Sequence, residues 1–277
     1  MYAIISHDVD HINLWDHKSD LIIPKWFLRT LLEFGDGKIS FTEVLFRFNE
    51  LFTNKWNRID ELCKHNKSMN IPSTFFVGVS NGMGLTYSKI KAQWAIQKVL
   101  SYRNDVGIHG IAYDSIKEIE EERNLFLSFI GHTSFGVRMH YLRQDFETLN
   151  NLSKVGYHFD STEYSLNKPY KIGNMWEFPI HLMDGVVIEY RKRRQSISLD
   201  IAKELTKRRI DEVISSGNEL VNIIFHDRYF SKSYSTWQNW YVWLIDWLKK
   251  NNFTLLSFND AIQLLENQKL NSQNNCV

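Results

Sequence analysis

Near the start of the chain, four of five consecutive residues have side chains that can bind a metal ion or transfer a proton: His7, Asp8, Asp10 and His11. In an extended strand, neighbouring side chains point to opposite faces, so Asp8 and Asp10 share one face while His7 and His11 share the other. Two carboxylates aimed at one point suit metal binding or general base catalysis. The alternative is a solvated acidic turn in which Asp10 or Asn13 caps the next helix.

Further reactive side chains follow other apolar stretches of the chain, namely His109, Arg138, Asp160 and His226. Parallel sheets bind ligands at the carboxyl ends of their strands, so we expect these side chains to lie near the N-terminal acids. A carboxylate beside an imidazole is a suitable start for a divalent metal site, because Zn²⁺ accepts oxygen and nitrogen ligands. Each residue alone also has a structural interpretation, as a packed histidine or as part of a surface ion pair.

These side chains need a scaffold, and the hydrophobic pattern predicts strands that alternate with helices. The predicted strands are residues 2–6, 71–79, 105–109, 135–141, 157–161, 175–181, 187–190, 220–226 and 253–257. The predicted helices are residues 41–52, 56–68, 89–100, 115–129, 145–155, 200–216, 234–250 and 259–268. The alternation indicates an α/β fold of right-handed βαβ units with a mainly parallel sheet, either open or closed into a barrel.

Size and composition favour one folded domain. The chain has 277 residues, of which 43% are hydrophobic and 14% aromatic, enough to bury a large core. We expect a single catalytic-type domain over residues 1–277, with a helical insertion at about 12–70 that covers the pocket and a polar tail at about 268–277.

Charge is nearly balanced, with 33 Lys and Arg against 32 Asp and Glu, so no overall field attracts the chain to nucleic acid. One local exception is the basic run Arg191, Lys192, Arg193 and Arg194. It could contact phosphate or an acidic glycan, or it could be a solvated loop.

The expected location is the cytoplasm. The first residues lack the cationic and apolar regions of a secretory signal, and the most apolar helical stretch, residues 240–248, is too short to span a membrane. Cys63 and Cys276 are too few for a disulfide framework and do not form a zinc-binding CxxC pair.

The order of several short motifs resembles the polysaccharide deacetylase family (NodB homology, carbohydrate esterase 4), as a divergent member of the Asp-Xaa-Asp type. The matching segments span about residues 2–260 and are Asp8-Val9-Asp10, Thr74-Phe75-Phe76-Val77, Gly107-Ile108-His109, Gly136-Val137-Arg138 with Tyr141, Phe178-Pro179 and Ile224-Phe225-His226. The resemblance implies a distorted (β/α) barrel of about seven strands. It also implies one divalent metal ion, with Zn²⁺ expected, and hydrolysis of the N-acetyl group of an amino sugar.

The resemblance further implies a role for each matched residue. Asp8 would be the general base that takes a proton from the attacking water, and Asp10 the carboxylate ligand of the metal. His109 would be an imidazole ligand. Arg138 would fix the base carboxylate, and His226 would protonate the leaving amine. A histidine suits that last role because its pKa lies near neutrality.

The third metal ligand departs from the family pattern. A second imidazole is expected four residues after the first, but Tyr113 stands there. Asp114 is the preferred substitute, with the alternative that it caps the helix predicted to begin at Ser115. His11 or His7 could serve instead if the strand end is bent. A second departure is His140, which stands where the family has proline.

Substrate contacts are expected from Tyr141, Asp160 and Tyr229, with Trp15 and Trp26 as further aromatic candidates. The leading hypothesis is a metal-dependent deacetylase acting on an N-acetylated sugar or glycan precursor. A second hypothesis keeps the fold and metal but assigns another amide, such as a cyclic imide or ureide. The third is a carbohydrate-binding relative without turnover, which the missing second histidine favours.

Overall fold

The computed structural model describes residues 1–190 and 192–274, with side chains described as far as residue 268. Its sheet contains ten strands: β1 (Tyr2–Val9), β2 (Ser73–Val77), β3 (Asp105–Gly110), β4 (Gly136–Met139), β5 (Phe159–Asp160), β6 (Tyr170–Ile172), β7 (Met175–Glu177), β8 (Leu182–Met183), β9 (Leu220–Ile224) and β10 (Thr254–Leu256). Strands β1 to β4 and β9 are almost entirely buried on both faces, as is typical of a sheet covered on both sides.

The strands pair in the order β6-β7-β5-β4-β3-β2-β1-β9-β8, and β10 also pairs with β1. All pairs are parallel except β6 with β7. The sheet curls into a half-barrel, which confirms the predicted distorted (β/α) barrel. Because β1 lies between β2 and β9, the acids at its end lie centrally among the strand ends.

Ten α-helices connect or cover the strands: α1 (Ile22–Gly35), α2 (Phe41–Thr53), α3 (Ile59–Ser68), α4 (Lys89–Ser101), α5 (Ile116–Ile130), α6 (Thr148–Val155), α7 (Asp184–Glu189), α8 (Leu199–Ser215), α9 (Ser235–Lys250) and α10 (Phe258–Asn274). This count refers to the ranges that the structure describes. Short 3-10 helices lie at Leu14–His17, His140–Leu142, Asp227–Tyr229 and Lys232–Tyr234.

The prediction of a strand at residues 187–190 is wrong, because most of this segment belongs to helix α7. Its β-branched residues suggested a strand, but Val187 and Ile188 are buried from a helix instead. Helix α1 and strands β6 and β8 were not predicted from the pattern. The division into one domain stays a prediction, and part of the predicted polar tail, residues 275–277, lies outside the described residues.

The segment between β1 and β2 carries helices α1 to α3 and packs on the loop that follows β9. Arg47 in α2 is fully buried and forms an ion pair of 2.7 Å with Glu33 of α1, while its Nε donates to the Ser233 carbonyl at 2.8 Å. Trp26 of α1 donates from Nε1 to the Tyr234 hydroxyl at 3.2 Å. These contacts fix the helical segment beside the strand ends.

Among the described helices, none combines the length and the apolar composition that a membrane crossing requires.

Candidate metal centre and its cleft

The Asp8 carboxylate is held by a buried arginine. Arg138 Nη1 donates to Asp8 Oδ1 at 2.7 Å, and its other nitrogens donate to Ser6 and Ser161. Burial opposes ionisation of Asp8, but the charge of Arg138, with help from His109, lowers the pKa of this carboxyl below its usual value. Asp8 is therefore ionised near neutral pH, and its second oxygen, Oδ2, lies 4.0 Å from His109 Nε2.

One carboxylate and two imidazoles converge beside Asp8. Asp10 Oδ1 lies 3.2 Å from His109 Nε2 and 3.5 Å from His140 Nδ1, and the two ring nitrogens are 2.9 Å apart. These three residues form a group that could hold a metal ion, with donor atoms all within 4.8 Å of one another. Asp10 Oδ1 is buried and accepts no hydrogen bond from the described residues.

The hydrogen bonds of the two rings indicate which nitrogens are free to bind a metal. His109 Nδ1 donates to the Arg138 carbonyl at 3.0 Å, and His140 Nε2 donates to the Met83 carbonyl at 3.2 Å. Each ring therefore presents the lone pair of its other nitrogen to Asp10, which is how backbone carbonyls orient metal-binding histidines. Tetrahedral Zn²⁺ with bonds of about 2.0–2.1 Å separates its ligands by roughly 3.4 Å, close to the spacing observed here. The residues present fit a divalent ion.

His226 lies on the other side of Asp10 and is held by an acid that the sequence analysis missed. Its Nδ1 is 2.7 Å from Asp184 Oδ1, and its backbone N–H donates to Asp184 Oδ2 at 2.8 Å. Burial opposes protonation of this ring, but the fully buried Asp184 carboxylate raises the pKa of His226 well above its usual value. His226 Nε2 lies 3.7 Å from Asp10 Oδ2 and can carry a proton into the site.

These groups line an open cleft of about 340 Å³. Tyr141 and Leu142 form part of its wall, and both have left-handed backbone conformations, with φ of 57° and 52°. This conformation is uncommon in residues other than glycine, and two in succession require the surrounding structure to hold them. The turn places the Tyr141 ring 4.2 Å from the His140 ring, and 67% of Tyr141 is exposed. This position is compatible with the predicted contact between Tyr141 and a sugar.

The structure does not bring Asp114 into the metal group. It lines a different cavity with Ser80 and Glu118, and the cap of α5 is Ser115, whose hydroxyl accepts from the Glu118 N–H. Neither the ligand nor the capping interpretation of Asp114 is therefore seen. The neighbouring Tyr113 has the Arg143 guanidinium 4.8 Å from its ring centroid.

His7 and His11 also lie outside the metal group. His7 is completely buried, with Nδ1 donating to the Phe225 carbonyl and Nε2 accepting from Asn66, and burial lowers its pKa to about 3. His11 Nδ1 lies 2.9 Å from His17 Nε2. Asp8 of β1 and Asp10, which directly follows this strand, share the cleft, as the strand alternation predicted.

The two other predicted substrate contacts have different surroundings. Asp160 is fully buried and accepts hydrogen bonds from the Thr162 hydroxyl and N–H, so the structure places it beneath the site and not on its surface. Burial raises its pKa, and it lies against the buried Glu177. Tyr229 stacks on Trp237 at 3.9 Å and lines a cavity next to the cleft.

Two residues of the site were not assigned by sequence reasoning, His140 as a ligand candidate and Asp184 as the partner of His226. Both had a usable signal. His140 stands where the resemblance would place proline, in a sequence that has Tyr113 where the resemblance would place the second histidine. Asp184 directly follows β8, as Asp10 directly follows β1.

Comparison with known proteins identifies the fold. No family model and no curated protein matches this chain. A presumed polysaccharide deacetylase from Mycobacterium smegmatis has a similar structure, with 15% identity, a TM-score of 0.64, and 97% of this chain and 91% of that chain covered. Puue allantoinase matches with 16% identity, a TM-score of 0.58, and 74% and 70% coverage.

A third similar structure is a CE4 family pseudoenzyme from Bacillus anthracis, with 8% identity, a TM-score of 0.50, and 94% of this chain and 64% of that chain covered. The likeness to the polysaccharide deacetylase family is therefore confirmed at the level of the fold. Because this fold occurs in both enzymes and a pseudoenzyme, activity must be argued from the site.

Proposed function

We propose that the protein is a divalent-metal-dependent hydrolase that removes the N-acetyl group from an amino sugar or glycan precursor. The observation that carries this proposal is the convergence of Asp10, His109 and His140 between the ionised Asp8 and the His226–Asp184 pair. A ligand group flanked by a base and an acid is the minimum needed to hydrolyse an amide.

Asp10, His109 and His140 would hold the ion, and Zn²⁺ suits their oxygen and nitrogen donors. A divalent ion in this position would lower the pKa of a bound water and polarise the substrate carbonyl. The hydrogen bonds from His109 to the Arg138 carbonyl and from His140 to the Met83 carbonyl keep both rings oriented for binding.

Asp8 and His226 would divide the proton transfers. Arg138 occupies Asp8 Oδ1, which leaves Oδ2 to accept the proton of the attacking water. Asp184 occupies His226 Nδ1 and favours the protonated ring, so Nε2 can donate a proton to the departing nitrogen. The neighbouring charges thus give the two groups different roles: Arg138 keeps Asp8 ionised as the base, and Asp184 keeps His226 protonated as the acid.

The substrate class is supported by the fold neighbour described as a polysaccharide deacetylase and by the exposed Tyr141 ring in the cleft wall. A second candidate function, hydrolysis of a ureide, is favoured by the similarity to an allantoinase. Loss of turnover was suggested by Tyr113 at the usual ligand position, but His140 supplies a second imidazole from another strand end.

The test is acetate release from N-acetylglucosamine oligosaccharides by metal-loaded protein, with allantoin as the substrate for the second candidate. We expect acetate release by the wild type, and a loss of about 100-fold or more in Asp8→Asn, which removes the general base. Asp8→Asn should retain the ion, and Asp114→Asn should behave as the wild type. Loss of the ion in Asp8→Asn would contradict the base assignment, and allantoin hydrolysis without acetate release would favour the second candidate.

A further inference from the structure

A second cavity, which we call the cationic cavity, adjoins the metal cleft. It has a volume of about 430 Å³ and lies between helix α1 and the loop after β9. Its lining includes four cationic side chains, and no Asp or Glu is found among its described lining residues: Lys25, Arg29, Arg193 and Arg228. No feature of the proposed deacetylation of a neutral sugar requires this concentration of positive charge.

Arg228 is the most informative of the four. Only 9% of this residue is exposed, and no carboxylate within the described part of the chain forms an ion pair with it. Its guanidinium lies 3.7 Å from the Trp56 ring centroid, and Nη2 donates to the Tyr234 hydroxyl at 2.8 Å. The Nε hydrogen has no acceptor among the described residues. A buried guanidinium with no carboxylate at ion-pair distance and no acceptor for Nε is costly, so an anion bound at this group would be stabilised.

The other three cations are Lys25 and Arg29 of helix α1 and Arg193 of the loop between α7 and α8. Arg29 of α1 is partly neutralised by Glu33 and Glu189, at 2.8 and 3.0 Å, yet its buried Nη2 has no partner among the described residues. Lys25 and Arg193 are exposed at the rim, and in the described part of the chain neither has an ion pair. Arg193 belongs to the basic run noted in the sequence; Arg191 of that run lies outside the described residues.

The cationic cavity is continuous with the catalytic groups. Tyr141 lines both this cavity and the metal cleft. Arg228 and Tyr229 also line a narrow space of about 20 Å³ shared with the acids Asp8, Asp10 and Asp227. A group bound among the four cations would therefore lie next to a sugar in the cleft, so one small molecule could occupy both spaces.

We propose that the cationic cavity binds a phosphoryl group of the substrate, so that the N-acetylated sugar is a phosphate or diphosphate ester and not a neutral glycan. This inference rests on the proposed function, of which it names the substrate class. Arginine forks match the geometry of phosphate oxygens, and several converging cations suit a multiply charged phosphoryl group better than a single carboxylate. Two kinds of substrate carry such a group: a sugar 1-phosphate and a nucleoside diphosphate sugar.

The first experiment measures binding without turnover, by calorimetric titration of the purified protein with inorganic pyrophosphate. We expect binding that weakens about 10- to 100-fold in Arg228→Gln, as for loss of charge-assisted hydrogen bonds. Arg208→Gln, an exposed arginine of α8, is the matched control and should bind as the wild type. Because the buried Arg228 also packs on Trp56, the double variant of the rim residues, Lys25→Gln with Arg193→Gln, provides a second test that should also weaken binding.

Pyrophosphate could bind a metal ion instead, so the titration is repeated with Asp10→Asn, which lacks a metal ligand. Retained affinity in Asp10→Asn supports the cationic cavity. Binding lost in Asp10→Asn but unchanged in the Arg228 and rim variants overturns the proposal.

The second experiment compares acetate release from N-acetylglucosamine, its 1-phosphate and uridine diphosphate N-acetylglucosamine. We expect kcat/KM to be at least tenfold higher for one of the phosphorylated sugars than for the neutral sugar. Arg228→Gln or the rim variant should reduce it to the value for the neutral sugar. The preferred substrate then shows whether the phosphoryl group belongs to a sugar 1-phosphate or to a nucleoside diphosphate sugar. Equal kcat/KM for all three sugars would refute the phosphoryl site while the deacetylase proposal stands. Pyrophosphate binding at the cavity without acetate release from any sugar would refute the deacetylase proposal alone.

Discussion

Replacement of His140 by Ala tests the unusual metal group most sharply. His140 Nδ1 is one of three donors, 2.9 Å from His109 Nε2 and 3.5 Å from Asp10 Oδ1. Structural zinc sites with four ligands bind with about 10–16 kcal/mol, or roughly 2.5–4 kcal/mol per ligand. Loss of one of three ligands should therefore weaken binding by roughly 10²- to 10³-fold.

The assay is competition for Zn²⁺ with a chromophoric chelator, performed on the wild type, His140→Ala and Asp114→Ala. Asp114→Ala is the matched control. Asp114 lines another cavity, yet it is the residue that the sequence predicted as the third ligand. Urea unfolding of each variant shows whether the fold is retained. The reasoning is refuted if His140→Ala binds Zn²⁺ as tightly as the wild type, or if Asp114→Ala is the variant that loses affinity.

Two more predictions concern the buried acids near the site. Asp184→Asn removes the charge that favours protonated His226, so acetate release should fall about 10²-fold or more with the bound ion retained; unchanged turnover would contradict the acid assignment. Burial and the nearby Asp160 raise the pKa of Glu177 well above its usual value, so the folded state keeps a proton that the unfolded state loses above pH 4.5. Stability contributed by this proton falls as pH rises, by at most about 1.4 kcal/mol per pH unit. Glu177→Gln should therefore gain stability relative to the wild type between pH 5 and pH 7 in urea unfolding, and a difference that does not change with pH would argue against a protonated Glu177.

Much of the site could be predicted because strand ends of a parallel sheet meet at one edge. Asp8 and Asp10 follow from the alternation of one strand, and the ends of three other strands supply His109, Arg138 and His226. The side chains of the aspartates and histidines line the cleft, and Arg138 donates a hydrogen bond to Asp8. These predictions needed only the strand boundaries and the rule that ligands bind at carboxyl ends.

The third ligand could not be predicted because it depends on a turn without a sequence period. β3 and β4 pair in a register that sets His109 opposite Arg138, and the chain beyond β4 then enters a 3-10 turn with two left-handed residues. That turn brings His140 alongside His109. The sequence shows the histidine, but only the pairing register and the turn show which atom it faces.

Asp184 was missed for a related reason. The prediction assigned a strand to the β-branched segment 187–190 and no element to residues 182–186, so Asp184 was not recognised as the residue that follows β8. Asp160 was predicted as a substrate contact because it ends a strand, but its carboxylate is fully buried and accepts hydrogen bonds from Thr162. A residue at the end of a strand therefore lies at the edge of the sheet, but its side chain need not be exposed.

The most direct test of the account is acetate release measured during titration of chelator-treated, desalted protein with Zn²⁺, using phosphorylated and neutral N-acetylglucosamine as substrates. We expect negligible acetate release without the ion and a linear increase that reaches a plateau at one Zn²⁺ per chain. Acetate release that does not depend on the ion, or its absence from both substrates when one ion is bound, would contradict the claim that Asp10, His109 and His140 form the metal centre of a deacetylase.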